Sequence, residues 1–297
     1  SKSDLIEYWS FDEGEGLVLN DLSGNENHGL ISGAIWSNEQ SSAYPIPMQI
    51  ISSVDASFNT TLIDNLSNFN QYKFKLSARD TVGNESGLTD PVQATPFGFT
   101  NEYSLVFDGD NDFVDPQALF PDVTNTFTMS FWAKPGLEHE IDAQSTAGVS
   151  GTSGQRYAIF PIHASDAYGS GHAGAGVSVG LNGISVYENS SGYNPALLVH
   201  EVDINDWIHV AVVYENKTPS LYIDGTYVPS GLTSFKTVHP SAGRGDIYAG
   251  HNGGFGGGQN NGSPNFYGGW LDEIRFYSRA SSVQEINDGM NGVIDHT

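Results

Sequence analysis

The chain contains no cysteine and few basic residues. Because none of its 297 residues is cysteine, disulfides, thiolate zinc sites and cysteine nucleophiles are excluded. Lys and Arg number 11 against 35 Asp and Glu, which gives a formal net charge of −24. So acidic a surface repels phosphate backbones and anionic lipid headgroups, and we expect no nucleic-acid partner and no membrane-surface role. The same acidity favours cations, Ca²⁺ above all, wherever carboxylate and amide oxygens converge.

Long apolar runs are absent as well. No stretch approaches the roughly 20 apolar residues of a membrane span, so we expect no membrane insertion. The chain opens on the polar residues SKSD rather than on a signal peptide, and we expect a mature protein or an excised module of a longer one. What the sequence does have is 38% hydrophobic and 12% aromatic residues. That is enough for a sizeable core in one large β domain or two ordinary domains.

Alternating segments separated by Gly, Asn and Asp turns predict about a dozen short β-strands. Asn182-Gly183 and Asp224-Gly225 stand between such segments and predict tight hairpins. Near the C-terminus, residues 281–290 begin with a Ser cap and predict one short helix that ends at Gly289. This pattern is typical of an all-β sandwich.

One long buried strand is predicted at 266–279, FYGGWLDEIRFYSR. Its apolar residues are Leu271, Ile274 and Phe276. The acidic pair Asp272 and Glu273 lies among them, and a carboxylate in a strand core is costly unless it is paired, hydrogen-bonded or bound to a metal. We expect groups near the N-terminus to satisfy Asp272, and we expect Glu273, on the opposite side, to be solvated.

A polar turn cluster lies at 21–29, DLSGNENHG. Oxygen-bearing side chains at alternate positions, with glycines between them, can wrap a hard cation. The alternative is a polar turn in which Asp21 and its neighbours hydrogen-bond to the local backbone. Both interpretations stay open at this point.

Residues 41–98 differ in character from the rest of the chain. They predict short strands separated by Asn and Gly turns. The turn DTVGNES at 80–86 and the closing segment VQATP resemble the last strands of a fibronectin type III domain, although the first strands and their Trp are missing. We therefore expect 41–98 to be a small β insert, and we expect 1–40 and 99–297 to form one discontinuous main domain.

Seven motifs of the main domain occur in a recognisable order. They are EYWSFDEGEG, DLSGNENHG, SLVFDGDNDFV, FTMSFWAKP, WIHVAVVY, LYIDGTYV and GWLDEIRFYSRA. In this order they resemble bacterial laminin G-like domains, which belong to the concanavalin A-like lectin and glucanase jelly rolls. The resemblance covers about 1–40 and 101–292. It implies an all-β, two-sheet antiparallel jelly-roll sandwich in which the first and last strands pair, often with one structural Ca²⁺.

The resemblance also gives the acidic residues a role. It implies a Ca²⁺ held by Asp21, Asn27, Asp272 and backbone carbonyls, with Asp108 as a fourth side chain, since Ca²⁺ prefers oxygen ligands. The ion would be structural and would join the two ends of the domain. The alternative is that Asp272 accepts hydrogen bonds from backbone amides and that Asp108-Gly109 only forms a turn.

This fold also hosts glycosidases, so paired carboxylates matter. Retaining glycosidases hold two carboxyl groups about 5–5.5 Å apart. The segment from Glu140 to Asp142 resembles the start of their motif, but Gln144 or Ser145 stands where a further Glu is needed. The chain also lacks the G-x-S-x-G and H-E-x-x-H motifs. We expect no catalytic residues and no enzyme activity; the alternative is a glycoside hydrolase, or a polysaccharide lyase that uses a Tyr with a His.

Sugar sites combine aromatic faces with a few convergent polar groups. Two stretches, 163–194 and 251–267, have that composition, and the alternative for both is core packing and loop flexibility. The predicted ligand-binding residues are His163, His172, Tyr187, Asn189 and Tyr193 in the first stretch and His251, Asn252, Phe255, Asn260 and Tyr267 in the second. Their neighbours of similar character are Asp166, Tyr168, Glu188, Asn194, Gln259, Asn261, Asn265 and Phe266.

The sequence thus predicts a non-catalytic, lectin-like carbohydrate-binding module of a secreted or cell-surface bacterial protein, with a structural calcium ion. The partner would be a polysaccharide or glycan, and a neutral one is preferred because the negative charge disfavours sulfated or uronate glycans. Other domains of a longer chain, a degrading enzyme or an adhesin, are further expected partners. A cell-surface adhesion or structural domain that binds protein is the second alternative.

Overall fold

A computed structural model describes residues 5–38, 72–90, 92–94, 103–241, 253–260 and 262–290. The chain divides into two compact units, one formed by Ser1–Ala43 with Asn101–Thr297 and the other by Tyr44–Thr100. No helix in the described ranges is long and apolar enough to cross a membrane.

The described residues are mainly strands. The first eight are β1 (Leu5–Trp9), β2 (Val18–Leu19), β3 (Gly29–Ser32), β4 (Ile35–Ser37), β5 (Tyr72–Phe74), β6 (Val92–Ala94), β7 (Ser104–Asp108) and β8 (Phe113–Asp115). The next eight are β9 (Phe127–Pro135), β10 (Tyr157–Ile159), β11 (His172–Gly180), β12 (Gly183–Asn189), β13 (Ala196–Glu201), β14 (Ile208–Glu215), β15 (Thr218–Ile223) and β16 (Thr226–Ser230). The last are β17 (Thr237–Pro240), β18 (Gly253–Gly254), β19 (Gly257–Asn260), β20 (Ser263–Phe266) and β21 (Gly268–Tyr277). The helices are α1 (Ala164–Tyr168), α2 (Val283–Met290) and a 3₁₀ turn at Ser150–Thr152.

Two large sheets form the main unit. The first has the order β16-β15-β14-β9-β21-β7-β4, and β1 pairs with β21 beside β7. The second has the order β13-β12-β11-β10-β20-β19-β18, and β17 pairs with β11. Most neighbours are antiparallel, but β10 with β20 and β11 with β17 are parallel. A small sheet, β2-β3-β8, adds to the main unit, and β5 pairs with β6 in the other unit. The predicted two-sheet all-β sandwich is confirmed.

The core lies between the two large sheets because one face of each is apolar. On β9, Phe127, Met129 and Phe131 point inward and are fully buried. Val177 of β11 and Val186 of β12 meet them from the second sheet, equally buried. Burial of a side chain of this size contributes about 1.5–3 kcal/mol relative to exposure, so the alternating strands drive formation of the sandwich.

The predicted hairpins form, with one change in a turn. Asp224 and Gly225, at φ 48° and 72°, connect β15 to β16 as expected. Between β11 and β12, however, Gly180 pairs with Gly183, so the turn residues are Leu181 and Asn182. The predicted turn at Asn182-Gly183 is therefore displaced by one residue.

The Gly-rich segment forms strands rather than a free loop. β18, β19 and β20 make a meander against β10. Position 254 requires a glycine because the backbone of Val114 lies close to it. A Cβ at Gly254 would lie 1.8 Å from the carbonyl oxygen of Val114. Gly257 is restricted in the same way, because its Cβ would lie 2.5 Å from the Cα of Phe266.

The closing strand β21 is confirmed, together with its pairing to the first strand. Leu5 lies opposite Tyr277, and Trp9 lies opposite Ile274. A β-bulge interrupts the pairing with β9 at Glu273, which has φ 53°. The bulge adds one residue, so that Leu271 and Ile274, three apart, both enter the core.

Glu273 is not solvated, and that prediction was wrong. The residue is 1% exposed and forms an ion pair with the buried Arg275. It also accepts a hydrogen bond from the hydroxyl of Tyr8 at 2.8 Å. Arg275 in turn donates to the carbonyl of Gly289 in α2 at 3.0 Å. The outer face of the first sheet thus carries buried polar side chains, and the terminal helix α2 packs against them.

Helix α2 begins with the predicted serine cap and ends one residue later than predicted. The Ser282 hydroxyl accepts from the amide of Glu285 at 3.3 Å, and the Glu285 carboxylate accepts from the amide of Ser282 at 2.6 Å. This reciprocal pair is a capping box. The helix covers Ala211 and Val213 of β14 with Ile286.

In the other unit, strand β5 is short and covers only Tyr72–Phe74, and Arg79 makes an isolated bridge with Glu85. The turn between them is organised by Asp80, whose carboxylate accepts from the amide of Asn84 at 2.8 Å.

Candidate functional site

A pocket of about 280 Å³ opens beside the second sheet. Among the described residues, its lining is mostly amide and hydroxyl side chains with one tyrosine and one histidine ring, and it contains no Asp or Glu. The lining residues are Val149, Thr152, His163, Asn189, Ser190, Gly192, Tyr193, Asn194, Asn260 and Ser263. We call this cavity the amide pocket.

Four chain segments meet around the amide pocket. The loop 136–156 contributes Val149 and Thr152, and the segment after β10 contributes His163. The turn 189–194 after β12 forms a third side, and the β19–β20 hairpin, where Asn260 pairs with Ser263, forms the fourth. The walls are therefore built by long-range packing rather than by one motif.

The loop 136–156, here called the cover loop, lies across the outer face of the second sheet. Gly151 packs on this face: a Cβ there would lie 2.4 Å from the ring of Tyr187 and 2.6 Å from the hydroxyl of Tyr157. Both tyrosines are fully buried. The Tyr187 hydroxyl donates to Asp142 at 2.6 Å, which fastens the cover loop to the sheet. The aromatic rings of this face are thus enclosed and not presented to solvent.

Asn194 connects the cover loop to the pocket. Its backbone amide donates to Gly148 at 2.7 Å, and its carbonyl accepts from Gly151 at 2.8 Å. The residue is 1% exposed, and its side-chain amide is enclosed beside Gly151 and the hydroxyl of Tyr157. The Tyr157 hydroxyl lies close enough for this amide to lower the phenol pKa, which burial raises overall. That hydroxyl nevertheless donates to the Gly151 carbonyl, at 2.7 Å.

Tyr193, the aromatic residue of the lining, is held by a buried acid. Its hydroxyl donates to Glu188 at 3.0 Å, and Ser234 and Tyr214 donate to the same carboxylate at 2.6 and 3.2 Å. Burial raises the pKa of Glu188 to about 7, although these three hydrogen bonds and Lys217 oppose the rise. Glu188 is 0% exposed and lies outside the lining, so it positions the ring and does not face a ligand.

The remaining walls have ordered polar groups. Asn189 donates to the Pro161 carbonyl at 2.9 Å, and Thr152 donates to the Val149 carbonyl at 3.0 Å. His163 lies 2.6 Å from the carboxylate of Asp166. These contacts fix side-chain directions before any ligand arrives, which reduces the entropy cost of binding.

Four of the ten predicted ligand-binding residues line the amide pocket: His163, Asn189, Tyr193 and Asn260. Three others are buried elsewhere. Tyr187 lies under the cover loop, and Phe255 and Tyr267 are fully buried in the main core. His251 and Asn252 lie outside the described residues. The pocket therefore draws on both predicted stretches.

His172 belongs to a separate histidine pair. Its Nδ1 lies 2.8 Å from Nε2 of His239, whose own Nδ1 lies 3.0 Å from the Phe120 carbonyl. A carbonyl only accepts, so His239 carries its proton on Nδ1 and accepts from His172. Tyr168 stacks on His239 with ring centroids 3.9 Å apart. This pair holds β17 to β11 and does not line the amide pocket.

The lining residues that were not among the ten predicted ones are Val149, Thr152, Ser190, Gly192, Asn194 and Ser263. The Gly/Ser-rich composition of 138–156 indicates a long loop, and it gives no means to choose Thr152. Asn194 was noted in its stretch by composition alone, and its contacts with Gly148 and Gly151 of the cover loop are a property of the folded chain.

The acids of the segment 140–142 do not form a glycosidase-like pair on a strand. The segment is part of the cover loop and has no strand structure. Asp142 accepts from both Tyr187 and Gln155, the latter at 3.1 Å, while Glu140 is exposed. Asp142 therefore has a structural role, because it joins the cover loop to Tyr187 and Gln155.

A second acidic group lies where β1 meets the turn cluster. Glu7 accepts from the side-chain amide of Asn27, and its Oε2 is buried with no hydrogen-bond donor. Asp21 accepts from the amides of Tyr8, Ser23 and Asn27 at 3.2, 2.8 and 3.2 Å. Burial, and then the charge of Asp21, raises the pKa of Glu7 to about 8. Two adjacent buried carboxyls with an amide and nearby carbonyls fit a hard cation such as Ca²⁺.

The other two predicted calcium ligands do not join this group. Asp108 is exposed, and its carboxylate accepts from the amides of Asp110 and Asn111 at 2.8 and 3.4 Å. Asp272 is 0% exposed and lies opposite Trp132 in the first sheet. Across the described ranges, no three Asp, Glu, His or Cys side chains are grouped to hold a metal ion. The predicted set Asp21, Asp108 and Asp272 is therefore not one carboxylate cluster.

The fold and site together define a two-sheet antiparallel sandwich with a small polar pocket at its second sheet. A laminin G family model, described as Concanavalin A-like lectin/glucanases superfamily, matches residues 107–287. The chain belongs to this superfamily. The match begins after the insert, so the fibronectin-like interpretation of 41–98 is not confirmed. Among curated protein sequences, none matches the chain.

Several solved structures are similar at low identity. Domain 4 of AbnA, an extracellular GH43 arabinanase of Geobacillus stearothermophilus, in complex with arabinotriose, is 16% identical; the match covers 98% of this chain and 100% of that one, with a TM-score of 0.41. The binding domain of botulinum neurotoxin DC, in complex with rat synaptotagmin II, is 10% identical over 98% of this chain and 52% of that one, with a TM-score of 0.42. The botulinum neurotoxin type G receptor binding domain is 12% identical over 98% and 51%, with a TM-score of 0.44. The chain thus spans about half of the neurotoxin domains.

Proposed function

We propose that this chain is a non-catalytic carbohydrate-binding module whose glycan site is the amide pocket. The observation that carries the proposal is the lining itself, in which amides and hydroxyls converge beside one tyrosine ring. Amides offer donors and acceptors that match neighbouring sugar hydroxyls, and an aromatic face packs on the C–H face of a sugar. The described part of the lining has no carboxylate, which also favours a neutral glycan in a chain of net charge −24.

Two features favour binding over catalysis. A glycosidase needs a pair of acids that reach the scissile bond, and among the described residues the lining of the amide pocket contains no acid. Glu188 lies behind Tyr193 with three hydroxyl partners, and Asp166 is paired with His163. A glycoside hydrolase or lyase of this fold is the competing function.

We also propose a structural Ca²⁺ at the start of the chain. Glu7, Asp21 and Asn27 would hold it, together with backbone carbonyls. The ion would supply charge neutralisation, which allows both carboxyls to ionise within the fold. Glu7 replaces Asp108 and Asp272 in this proposal because it contacts Asn27 and lies beside Asp21.

A module of this kind would act outside the cell, at the surface of a bacterium or in a secreted protein, joined to other domains of a longer chain. The acidic surface and the absence of cysteine are compatible with that setting. A role in adhesion through protein contacts is the alternative, and it would not depend on the amide pocket.

A glycan array tests the proposal directly. The wild-type chain is compared with Ser263→Trp, in which an indole at the pocket rim would fill the cavity. We expect the wild type to bind one group of neutral glycans and the variant to bind none of them. Binding to no glycan, or equal binding by both proteins, would overturn the assignment of the site. Incubation with the bound glycan, followed by assay for new reducing ends or unsaturated products, separates binding from catalysis.

A further inference from the structure

The loop 231–236, which joins β16 to β17, exposes an aromatic ring beside the amide pocket. Phe235 is 63% exposed. Its ring packs edge-on against Tyr193, a lining residue of the pocket, with ring centroids 5.2 Å apart and an interplanar angle of 74°. Tyr193 itself is only 4% exposed. Of these two rings, it is therefore Phe235 that a ligand can reach.

The loop 231–236 is held firmly in place. The amide of Leu232 donates to a β13 carbonyl at 2.7 Å, and the amide of Ser234 donates to the carbonyl of Lys217 at 3.0 Å. The Ser234 hydroxyl donates to the buried Glu188 carboxylate at 2.6 Å. The same carboxylate accepts from the hydroxyl of Tyr193. One buried acid thus fixes both the pocket ring and the loop with the exposed ring, and this order before binding lowers the entropy cost of binding.

A lysine side chain lies over both rings. The ammonium nitrogen of Lys236 is 5.1 Å from the ring centroid of Tyr193 and 5.4 Å from that of Phe235, distances at which an aromatic face attracts a cation. None of the ion pairs in the described part of the chain includes this lysine. Its ammonium group has three N–H donors and no acceptor, so it can donate to the oxygens of a sugar that stacks on Phe235.

The surroundings of Phe235 give its exposure a meaning. Single exposed apolar side chains are common on protein surfaces and assign no role by themselves. Here the ring lies next to an N–H donor and adjoins a pocket of amides and hydroxyls. A sugar ring has an apolar C–H face and a rim of hydroxyls, which match an aromatic face and a flanking charged donor.

We propose that Phe235 and Lys236 form a second sugar subsite, beside the amide pocket, that binds the residue next to the one held in the pocket. This inference rests on the proposed glycan-binding function and narrows its ligand to a neutral oligosaccharide of at least two linked residues. The sugar stacks on Phe235, accepts hydrogen bonds from Lys236, and continues past Tyr193 into the pocket.

The test uses the full chain and arabino-, xylo-, manno-, gluco- and galacto-oligosaccharides of one to four residues. Titration calorimetry measures the affinity for each length. We expect the wild type to gain at least about tenfold in affinity between one residue and three, and Phe235→Ala to lose this gain. The affinity for the single residue should change by less than about twofold. Phe235→Trp, which restores an aromatic face, should restore the gain.

Two further variants complete the series. Lys236→Met keeps an unbranched side chain and removes the donors, and it should weaken binding of the longer oligosaccharides by about twofold to tenfold. Tyr227, an aromatic residue of β16 that is 54% exposed, gives the matched control, and Tyr227→Ala should bind as the wild type does. Because Phe235 is mostly exposed, Phe235→Ala should keep the wild-type melting temperature.

The outcomes distinguish the subsite from the pocket. Equal affinities of the wild type and Phe235→Ala for every bound oligosaccharide would overturn the subsite and leave the amide pocket as the glycan site. An equal loss for one residue and for longer chains would also overturn it, because the ring would then only support the pocket. Loss of binding by Tyr227→Ala alone would move the glycan to the first sheet. Binding of no glycan by the wild type would overturn the proposed function together with this inference.

Discussion

Glu273 and Arg275, two positions apart on the closing strand, form an ion pair in which each side chain is about 1% exposed. The guanidinium also lies 4.8 Å from the ring centroid of Tyr8 on the first strand. Its other nitrogen donates to the Gly289 carbonyl of the terminal helix. One buried pair therefore connects the first strand, the last strand and the helix.

The first prediction concerns this pair. Arg275→Met should destabilise the fold by about 3–5 kcal/mol, because it leaves the Glu273 carboxylate buried without its counter-charge. The double variant Glu273→Gln with Arg275→Met should recover part of that loss, since no buried charge then remains. Urea unfolding measures both, and equal stability of the two variants would show that the charge pairing does not govern this layer.

The second prediction concerns calcium and pH. Because burial raises the folded-state pKa of Glu7 to about 8 from 4.5, the folded protein without metal retains a proton that the unfolded chain releases. The proton bound to Glu7 contributes fully to the free energy of unfolding below about pH 4.5. This contribution is lost as the pH rises through 8, by up to about 1.4 kcal/mol per pH unit. Added Ca²⁺ should remove this loss, because it lets Glu7 ionise in the fold. Melting temperatures from pH 5 to 9, with CaCl₂ or with EDTA, measure the effect.

Two variants separate Glu7 from the other buried acid. Glu7→Gln should flatten the pH profile and abolish the response to Ca²⁺. Glu188, with a pKa of about 7, loses stability with rising pH in the same direction, so Glu188→Gln should change the profile while the Ca²⁺ response stays. A Glu7→Gln protein that still gains the wild-type increment from CaCl₂ would exclude Glu7 as a ligand.

The third prediction concerns His209. Burial, and then the charge of Arg275, lowers the pKa of His209 to about 3, and neither ring nitrogen has a hydrogen-bond partner. A depressed pKa means that the unfolded chain takes up a proton first, so stability is lost as the pH falls from about 6.5 toward 3.

His209→Leu should remove part of this acid sensitivity and should not reduce stability at pH 7, because it deletes two buried polar atoms without partners. Denaturant midpoints at pH 4.5 and pH 7 give the comparison. Midpoints that fall equally with pH in both proteins would assign the acid sensitivity to other groups.

The fourth prediction concerns the cover loop. Gly151→Ala places a Cβ 2.4 Å from the ring of Tyr187 and 2.7 Å from the side chain of Asn194, so the loop must shift. We expect a loss of about 1–3 kcal/mol together with weaker glycan binding. Gly87→Ala has open space around its Cβ and serves as the control. Unaltered binding by a folded Gly151→Ala protein would separate the cover loop from the site.

Local pattern was sufficient to predict much of the fold. Alternation in β9 and β14 placed Phe131 and its neighbours in the core, and the Asp224-Gly225 turn and the Ser282 cap follow from propensities of single residues. Such features depend on a few adjacent positions. The pairing of the first and last strands came from the family resemblance and is confirmed.

Features that depend on several distant segments were not predictable in this way. Glu273 is buried because a β-bulge turns its side chain toward Tyr8 and Arg275, and no local sequence pattern predicts this bulge. The amide pocket needs Asn194 and Asn260 to meet across the second sheet, while the cover loop encloses Tyr187, which composition alone had made a ligand candidate. Asn and Tyr occur with the same kinds of sequence neighbours in pocket walls, in turns and in cores, so local sequence does not distinguish these three settings.

The pairing of β1 with β21 has a mechanical consequence. The strands are antiparallel, and Leu5 lies opposite Tyr277, so the chain enters β1 and leaves β21 at the same end of the pair. A pulling force applied before Leu5 and after Tyr277 would load the strand hydrogen bonds one at a time instead of all together. Under tension the domain should therefore peel open from this corner at low force, and its resistance would come from Arg275 and the helix that it holds.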